Sequence, residues 1–193
     1  MSQYIEKVIY INLDKHVEKR NVIENQLKYF NLNFERFPGV NVPDAGFIGC
    51  AKSHLEVLKL ARERKYKNVL IVEDDLLFIA SKEEFENSIS KLFNEKPDFD
   101  VCMLSYNLQK GEIDRDHPFL LKNVEAQTAS AYLVNKTVYD ELINLYEESC
   151  ILLERTHQHW IYQNDMIWKP LQLTKKWYCF TAQLGRQSDI KPW

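Results

Sequence analysis

Three acidic residues in a row, Glu73, Asp74 and Asp75, form the part of this sequence best suited to chemistry. They follow directly on Val69-Leu70-Ile71-Val72, and Leu76-Leu77-Phe78 then resumes the apolar pattern. A run that apolar reads as a strand buried on both faces. Unpaired charges do not enter such a core, so the triplet marks the place where the strand leaves the sheet. In open α/β sheets, ligands bind beyond the carboxyl ends of the strands. The two-residue period of a strand sends Glu73 and Asp75 to one side and Asp74 to the other. Two carboxylates so placed make a hard-oxygen site suited to Mn²⁺ or Mg²⁺ holding a phosphate-bearing ligand. Capping of a helix that begins near Ser81, or an ordinary acidic loop, are the alternatives for the same three residues.

Other groups carry weaker signals. His54 falls on the apolar face of a helix, where it is either a core histidine with both nitrogens partnered or an organiser of the site. Ser53 beside it can bond back to its own helix. Thr156-His157-Gln158-His159-Trp160 reads as a packing corner, since no zinc partner set accompanies its two histidines. Arg186, in the polar stretch Gln183 to Asp189, has the planar fork that matches phosphate oxygens, although a surface tail looks the same.

The elements that must position these groups alternate between strand and helix. Lys7 to Leu13 is a β-branched and aromatic strand, and Asp14 is placed to cap the helix after it. The charged residues Glu18, Lys19, Arg20 and Glu24 read first as a solvated helix face. A short segment, Phe34 to Phe37, ends in a Pro38-Gly39 turn. Phe47 to Arg64 has the clearest helical period, with Phe47, Cys50, Ala51, His54, Leu55, Leu58 and Ala61 at three- and four-residue steps. Gly49 costs such a helix about 1 kcal/mol against Ala, which points to a close backbone approach. Ser81 and Glu84 stand in capping-box positions for the next helix. Asp100 to Tyr106 is a further buried strand, and the polar segment Asn107 to Pro118 reads as a mobile loop able to close over a ligand. Ala131 to Val134 is strand-like, a helix follows Lys136, and Trp177 to Phe180 is a candidate last strand.

The chain has 193 residues, 45% hydrophobic and 27% charged, enough for one sizeable core and an ordinary globular profile. A formal net charge of −3 excludes a broadly basic footprint, so no nucleic-acid partner is expected. The four cysteines show no CxxC or zinc-type spacing and read as reduced thiols, with disulfides left open by the even count. No apolar run reaches membrane-spanning length and no cleavable leader is evident, which gives the expectation of a soluble cytoplasmic protein. Neither GxGxxG nor GxxxxGK occurs, which argues against a dinucleotide fold or a P-loop ATPase.

Taken in order, Tyr10 to Leu13 (YINL) with Arg20, Gly46 to Leu55 (GFIGCAKSHL), Val69 to Asp75 (VLIVEDD), Ala131 to Lys136 (AYLVNK), Asp165, and Gln183 to Ile190 (QLGRQSDI) resemble glycosyltransferase family 25. That family includes bacterial lipooligosaccharide galactosyltransferases and collagen galactosyltransferase domains. The resemblance implies an α/β fold of GT-A type, Rossmann-like, with a mostly parallel sheet, helices on both faces and a single compact domain. The donor half would take up about residues 1–110 and the acceptor half about 111–193. It implies an inverting hexosyltransferase that takes galactose from a UDP-sugar to a hydroxyl of a glycan or hydroxylated peptide, with Mn²⁺ or Mg²⁺ held by Asp75 and Glu73. Asn12, Leu13 and Arg20 would lie at the nucleotide, Ser53 and His54 would line the donor side, Asp74 would support the metal, and Arg186 would meet phosphate. Inversion needs a carboxylate on the far face of the sugar, for which Asp165 is the first choice and Glu125 the alternate. The chain is shorter than fuller members between Asp100 and Ala131 and again before Thr156, so a binding protein of the same fold without turnover is the competing expectation.

Overall fold

A computed structural model describes residues 4–188 of the chain. Strand β1 (Lys7–Asn12) leads into helix α1 (Val17–Tyr29), then β2 (Phe34–Pro38), α2 (Gly46–Glu63) and β3 (Asn68–Glu73). A short β4 (Leu76–Phe78) and α3 (Lys82–Glu95) precede the long strands β5 (Val101–Ile113) and β6 (Leu120–Asn135). A single 3-10 turn opens α4 (Tyr139–Thr156), and three short helices follow: α5 (His159–Tyr162), α6 (Asn164–Ile167) and α7 (Lys169–Thr174). Strands β7 (Trp177–Phe180) and β8 (Gly185–Gln187) complete the described chain.

The main sheet has the order β2-β1-β3-β6-β5-β7. Its pairings β1–β2, β1–β3 and β5–β7 are parallel, whereas β6 runs antiparallel to β3, β5 and β7. The sheet is therefore mixed, and the expectation of a mostly parallel sheet is corrected. The cause is local: β5 and β6 are joined by a short connection rather than a helical crossover, and a short connection forces antiparallel neighbours. Helices flank both faces, as expected. On one side α2 and α4 bury Leu55, Leu58, Leu142 and Tyr146 against Ile71, Met103 and Tyr132, with Trp168 and Trp177 in edge contact. On the other, Ile23 and Leu27 of α1 and Phe85, Ile89 and Leu92 of α3 cover Leu70, Val72 and Leu104.

The segment expected to be a mobile loop, Asn107 to Pro118, is instead mostly strand. Residues 107–113 extend β5 as an exposed ribbon paired with β6, from Asn107 against Gln127 to Ile113 against Leu121. Ladder hydrogen bonds satisfy its backbone, so its polar composition reflects two wet faces rather than irregular structure. Asp14 does not cap α1: His16 occupies that position without a side-chain cap, and the Asp14 carboxylate pairs with Arg36. The capping box is present, with Ser81 Oγ accepting from Glu84 N and Glu84 Oε2 accepting from Ser81 N. All four cysteines are free. No helix among the described residues is long and apolar enough to cross a membrane.

Candidate active site

The parallel pairing of β1 with β3 sets Ile11 beside Glu73, so both strands end at one edge of the sheet. The chain then turns through Asp74 and Asp75 into β4, which pairs antiparallel with β8 and sets Leu76 opposite Gln187. This small second sheet carries the end of the described chain back to the triplet. Ser188 N donates to Asp75 O at 2.8 Å, and Gln187 Nε2 donates to Asp75 Oδ2 at 3.1 Å.

The carboxylates have separate surroundings. Glu73 Oε1 lies 3.1 Å from His54 Nε2 and accepts from the Cys50 thiol at 3.4 Å, while His54 Nδ1 lies 2.9 Å from the Tyr132 hydroxyl. Burial opposes ionisation of Glu73, but the hydrogen bond and charge of His54 outweigh it and hold the carboxyl below its usual range. Burial, then the charge of Glu73, pushes the Cys50 thiol well up. Asp74 accepts from Asn12 Nδ2 at 2.7 Å, with Lys19 Nζ at 3.7 Å and His16 Nδ1 at 3.6 Å. Asp75 is pushed up to about 6, first by burial and then by the charge of Glu73, and its Oδ1 is buried without a hydrogen-bond partner.

Gly49 explains how α2 reaches this edge. A Cβ there would lie 2.3 Å from Val40 O, so only glycine lets the loop after β2 rest on the helix. Ser53 locks the same contact: its hydroxyl donates to Gly49 O at 2.6 Å and accepts from Val40 N at 2.8 Å.

Two adjoining chambers open over these groups. The larger, about 470 Å³, is walled by Leu13, Lys15, His16 and Lys19, by the loop from Gly39 to Asp44, by Gly49 and Ser53, and by all three triplet residues. Its size is ordinary for a small-ligand site. The smaller, about 330 Å³, is walled by Thr128, Ala129, His159, Trp160, Asn164, Asp165 and Met166. Cys50, Glu73, Gln163 and Gln187 line both. Burial raises the basicity of Asp165, Thr128 N offsets this by donating to Oδ2 at 3.1 Å, and the charge of Glu73 adds to the rise.

Of the residues expected from sequence, Leu13, Ser53, Glu73, Asp74 and Asp75 line the larger chamber and Asp165 the smaller. Asn12 is buried behind Asp74, its amide oxygen accepting from Arg36 Nε at 3.0 Å, and His54 is buried behind Glu73. Arg20 lines neither chamber and pairs with Glu24 at 3.1 Å. Glu125 likewise lines neither and accepts from Lys169 at 3.0 Å. Arg186 is exposed, its neighbour Gln187 being the β8 residue that reaches the site; Asp189 and Ile190 lie outside the described residues. Sequence reasoning missed Lys15, His16, Lys19, Gln163 and Gln187. The signal for Lys19 was the charged cluster on α1. In the segment 156–160, His157 and His159 pack their rings against Phe47 at 5.9 and 5.3 Å, whereas Trp160, among the described residues, makes a ring contact with His159 alone, at 5.3 Å, and is 59% exposed, because α4 ends at His157 in a left-handed conformation and turns the chain outward.

Ligand atoms of Cys50, His54 and Glu73 lie within 4.8 Å of one another, a cluster compatible with a metal. Asp75 adds a buried carboxylate oxygen with no other partner beside the same cavity, the environment a divalent cation would relieve.

The mixed α/β sheet, flanked by helices and carrying carboxylates at a strand end, is broadly GT-A-like. The fold is similar to that of a glycosyltransferase involved in the glycosylation of the major capsid of PBCV-1 (TM-score 0.57, 9% identity, 96% of this chain and 93% of that one). It is also similar to the glycosyltransferase GlyE of Streptococcus pneumoniae TIGR4 (TM-score 0.54, 10% identity, 91% of this chain and 45% of that one). At such identities these likenesses show the fold alone. The chain belongs to glycosyltransferase family 25: the family model, described as LPS biosynthesis protein, matches residues 44–161. Procollagen galactosyltransferase 2 of Mus musculus is 29% identical over 109 residues, which are 53% of this chain and 16% of that protein. This chain thus matches only about a sixth of that relative's length.

Proposed function

We propose that this protein transfers a hexose, galactose in the first instance, from a UDP-sugar to an acceptor hydroxyl with inversion at the anomeric carbon. The observation that carries the reading is the shared wall: Glu73 and Gln187 border both the chamber that holds the acidic triplet and the chamber that holds Asp165. The donor occupies the larger chamber, with its diphosphate toward Lys15 and Lys19, which meet phosphate as compact cations. Glu73 and Asp75 would hold Mn²⁺ or Mg²⁺, which when bound neutralises charge on the departing diphosphate. These hard oxygens fit such an ion better than Cys50, whose raised thiol keeps its proton, or His54, both of whose nitrogens are engaged.

Asp165 acts as the base. Its carboxylate, made more basic by burial, takes the proton from the acceptor hydroxyl as that oxygen attacks the anomeric carbon on the face opposite the UDP leaving group. Asn12 and His54 serve as positioning residues, holding Asp74 and Glu73 in place. The galactosyl donor is suggested by the name of the mouse relative. The test is UDP release from UDP-galactose with Mn²⁺ and a panel of acceptors. Asp165→Asn should lower turnover about 100-fold or more while leaving UDP affinity unchanged; unchanged turnover removes Asp165 from this role.

A further inference from the structure

Two hydrogen bonds converge on one oxygen in the wall that the chambers share. Cys50 and His54 stand four residues apart on one face of α2, and both reach Glu73 Oε1, the Cys50 thiol from 3.4 Å and His54 Nε2 from 3.1 Å. Around a tetrahedral zinc ion with bonds of ~2.0–2.3 Å, such sulfur, nitrogen and oxygen atoms stand about 3.3–3.6 Å apart, so the two sides that meet at Glu73 need open by only a few tenths of an ångström. The third side of the triangle is no longer than 4.8 Å. A histidine ligand also needs a partner behind its ring, and His54 has one: Nδ1 lies 2.9 Å from the Tyr132 hydroxyl, and the two rings stack at 5.7 Å with 23° between their planes. Cys50 lines both chambers, which gives a cation access from solvent. We infer that Cys50, His54 and Glu73 form a site for a thiophilic cation, Zn²⁺, and that this ion competes with the hard ion proposed for Glu73 and Asp75 because both need Glu73.

Ligand softness separates the two ions. Mn²⁺ and Mg²⁺ gain little from a thiol and leave its proton in place, whereas Zn²⁺ replaces that proton with a Zn–S bond and releases it to water. His54 then coordinates through Nε2, with the ring proton on Nδ1 donated to the Tyr132 hydroxyl. The fourth position faces the chambers and takes a water. Zinc held this way takes up the charge of Glu73 and sets a dication in the wall to which Asp75 also belongs, so Mn²⁺ is held less well. The consequence for sugar transfer, inhibition by Zn²⁺ that added Mn²⁺ reverses, rests on the donor reading given above; the zinc site itself does not.

Cobalt substitution tests the site on the whole chain with its cysteines reduced. Co²⁺ added to the wild type should give the near-ultraviolet band of a thiolate–cobalt bond and the intense visible bands of a tetrahedral ion, both discharged by stoichiometric Zn²⁺. Cys50→Ser, which keeps a hydroxyl donor toward Glu73, should lose the thiolate band and weaken Zn²⁺ about 100-fold or more, whereas Cys150→Ser should leave both unchanged. Tyr132→Phe should weaken Zn²⁺ about tenfold. Bound Mn²⁺, followed by electron paramagnetic resonance, should be displaced from the wild type by Zn²⁺ at concentrations about 100-fold lower than from Cys50→Ser. Absence of a thiolate band in the wild type, a band that survives Cys50→Ser, or Mn²⁺ and Zn²⁺ bound together without competition would each overturn the inference. Calorimetric titration of UDP keeps the two readings apart. Competition between the ions in a protein that binds no UDP would keep the zinc site and remove the proposed donor chemistry. Mn²⁺-dependent UDP binding that is indifferent to Zn²⁺ would do the reverse.

Discussion

Asp75 is held at a cost to stability, and the size of that cost follows from its surroundings. In the metal-free protein its carboxyl is pushed from 3.8 to about 6, first by burial and then by the charge of Glu73. Because the folded-state value is raised, the ionised form is disfavoured in the fold. The penalty is therefore complete above pH 6 and is relieved as pH falls from about 6 toward 3.8. That interval corresponds to about 3 kcal/mol as an upper limit, which water at the cleft mouth reduces. Asp75→Asn removes the charge but leaves a buried amide in place of the unpartnered oxygen, so a net gain of about 1–2 kcal/mol is expected at pH 8. For a domain of this size that is about 3–6 °C in melting temperature. The assay is thermal unfolding of wild type and variant in EDTA at pH 8 and pH 5, followed by circular dichroism. The variant should melt higher at pH 8, with the gap shrinking to near zero at pH 5, where about half of the roughly 3 kcal/mol penalty is already relieved while the cost of the buried amide is unchanged. A variant that is less stable than wild type at pH 8, or a gap independent of pH, would refute the reasoning.

The other predictions concern the supports of the site. Gly49→Ala gains about 1 kcal/mol of helix propensity but drives a methyl group into Val40 O, an overpacking worth about 1–3 kcal/mol. Its melting temperature should fall and its UDP affinity weaken together, because the displaced loop from Gly39 to Asp44 walls the larger chamber; an increase in melting temperature would show that the loop yields freely. His54→Ala strips Glu73 of its buried partner and leaves the Tyr132 hydroxyl unpaired, and should cost about 3 kcal/mol in urea unfolding. Tyr132→Phe removes one hydrogen bond and should cost about 1 kcal/mol in the same measurement; equal losses in the two variants would mean that the His54–Glu73 contact adds nothing.

What was legible in the sequence was whatever local pattern determines. Strand β3 and helix α2 announce themselves by an unbroken apolar run and by three- and four-residue steps, and the triplet at the end of β3 places one wall of the site. Gly49 was readable because only a close contact justifies glycine inside a helix. The reversed direction of β6 was not readable, since the polar composition of residues 107–113 hid the hairpin that dictates it. Lys19 rather than Arg20 reaches the cleft because α1 begins at Val17, and one residue is a rotation of about 100° on a helix. Gln187 reaches Asp75 through the pairing of two three-residue strands far apart in sequence, too short to leave a periodic signal. Trp160 and Asn164 lie where short helices turn, and their exposure and unmet hydrogen bonds exist only in three dimensions.

The most direct test of the proposed donor chemistry is calorimetric titration of the wild-type protein with UDP, with and without Mn²⁺, beside the Asp75→Ala variant. Binding that requires Mn²⁺ and is lost in Asp75→Ala is the predicted result. Absence of UDP binding, or binding indifferent to both the metal and Asp75, would contradict it and leave the acidic triplet as a structural strand end.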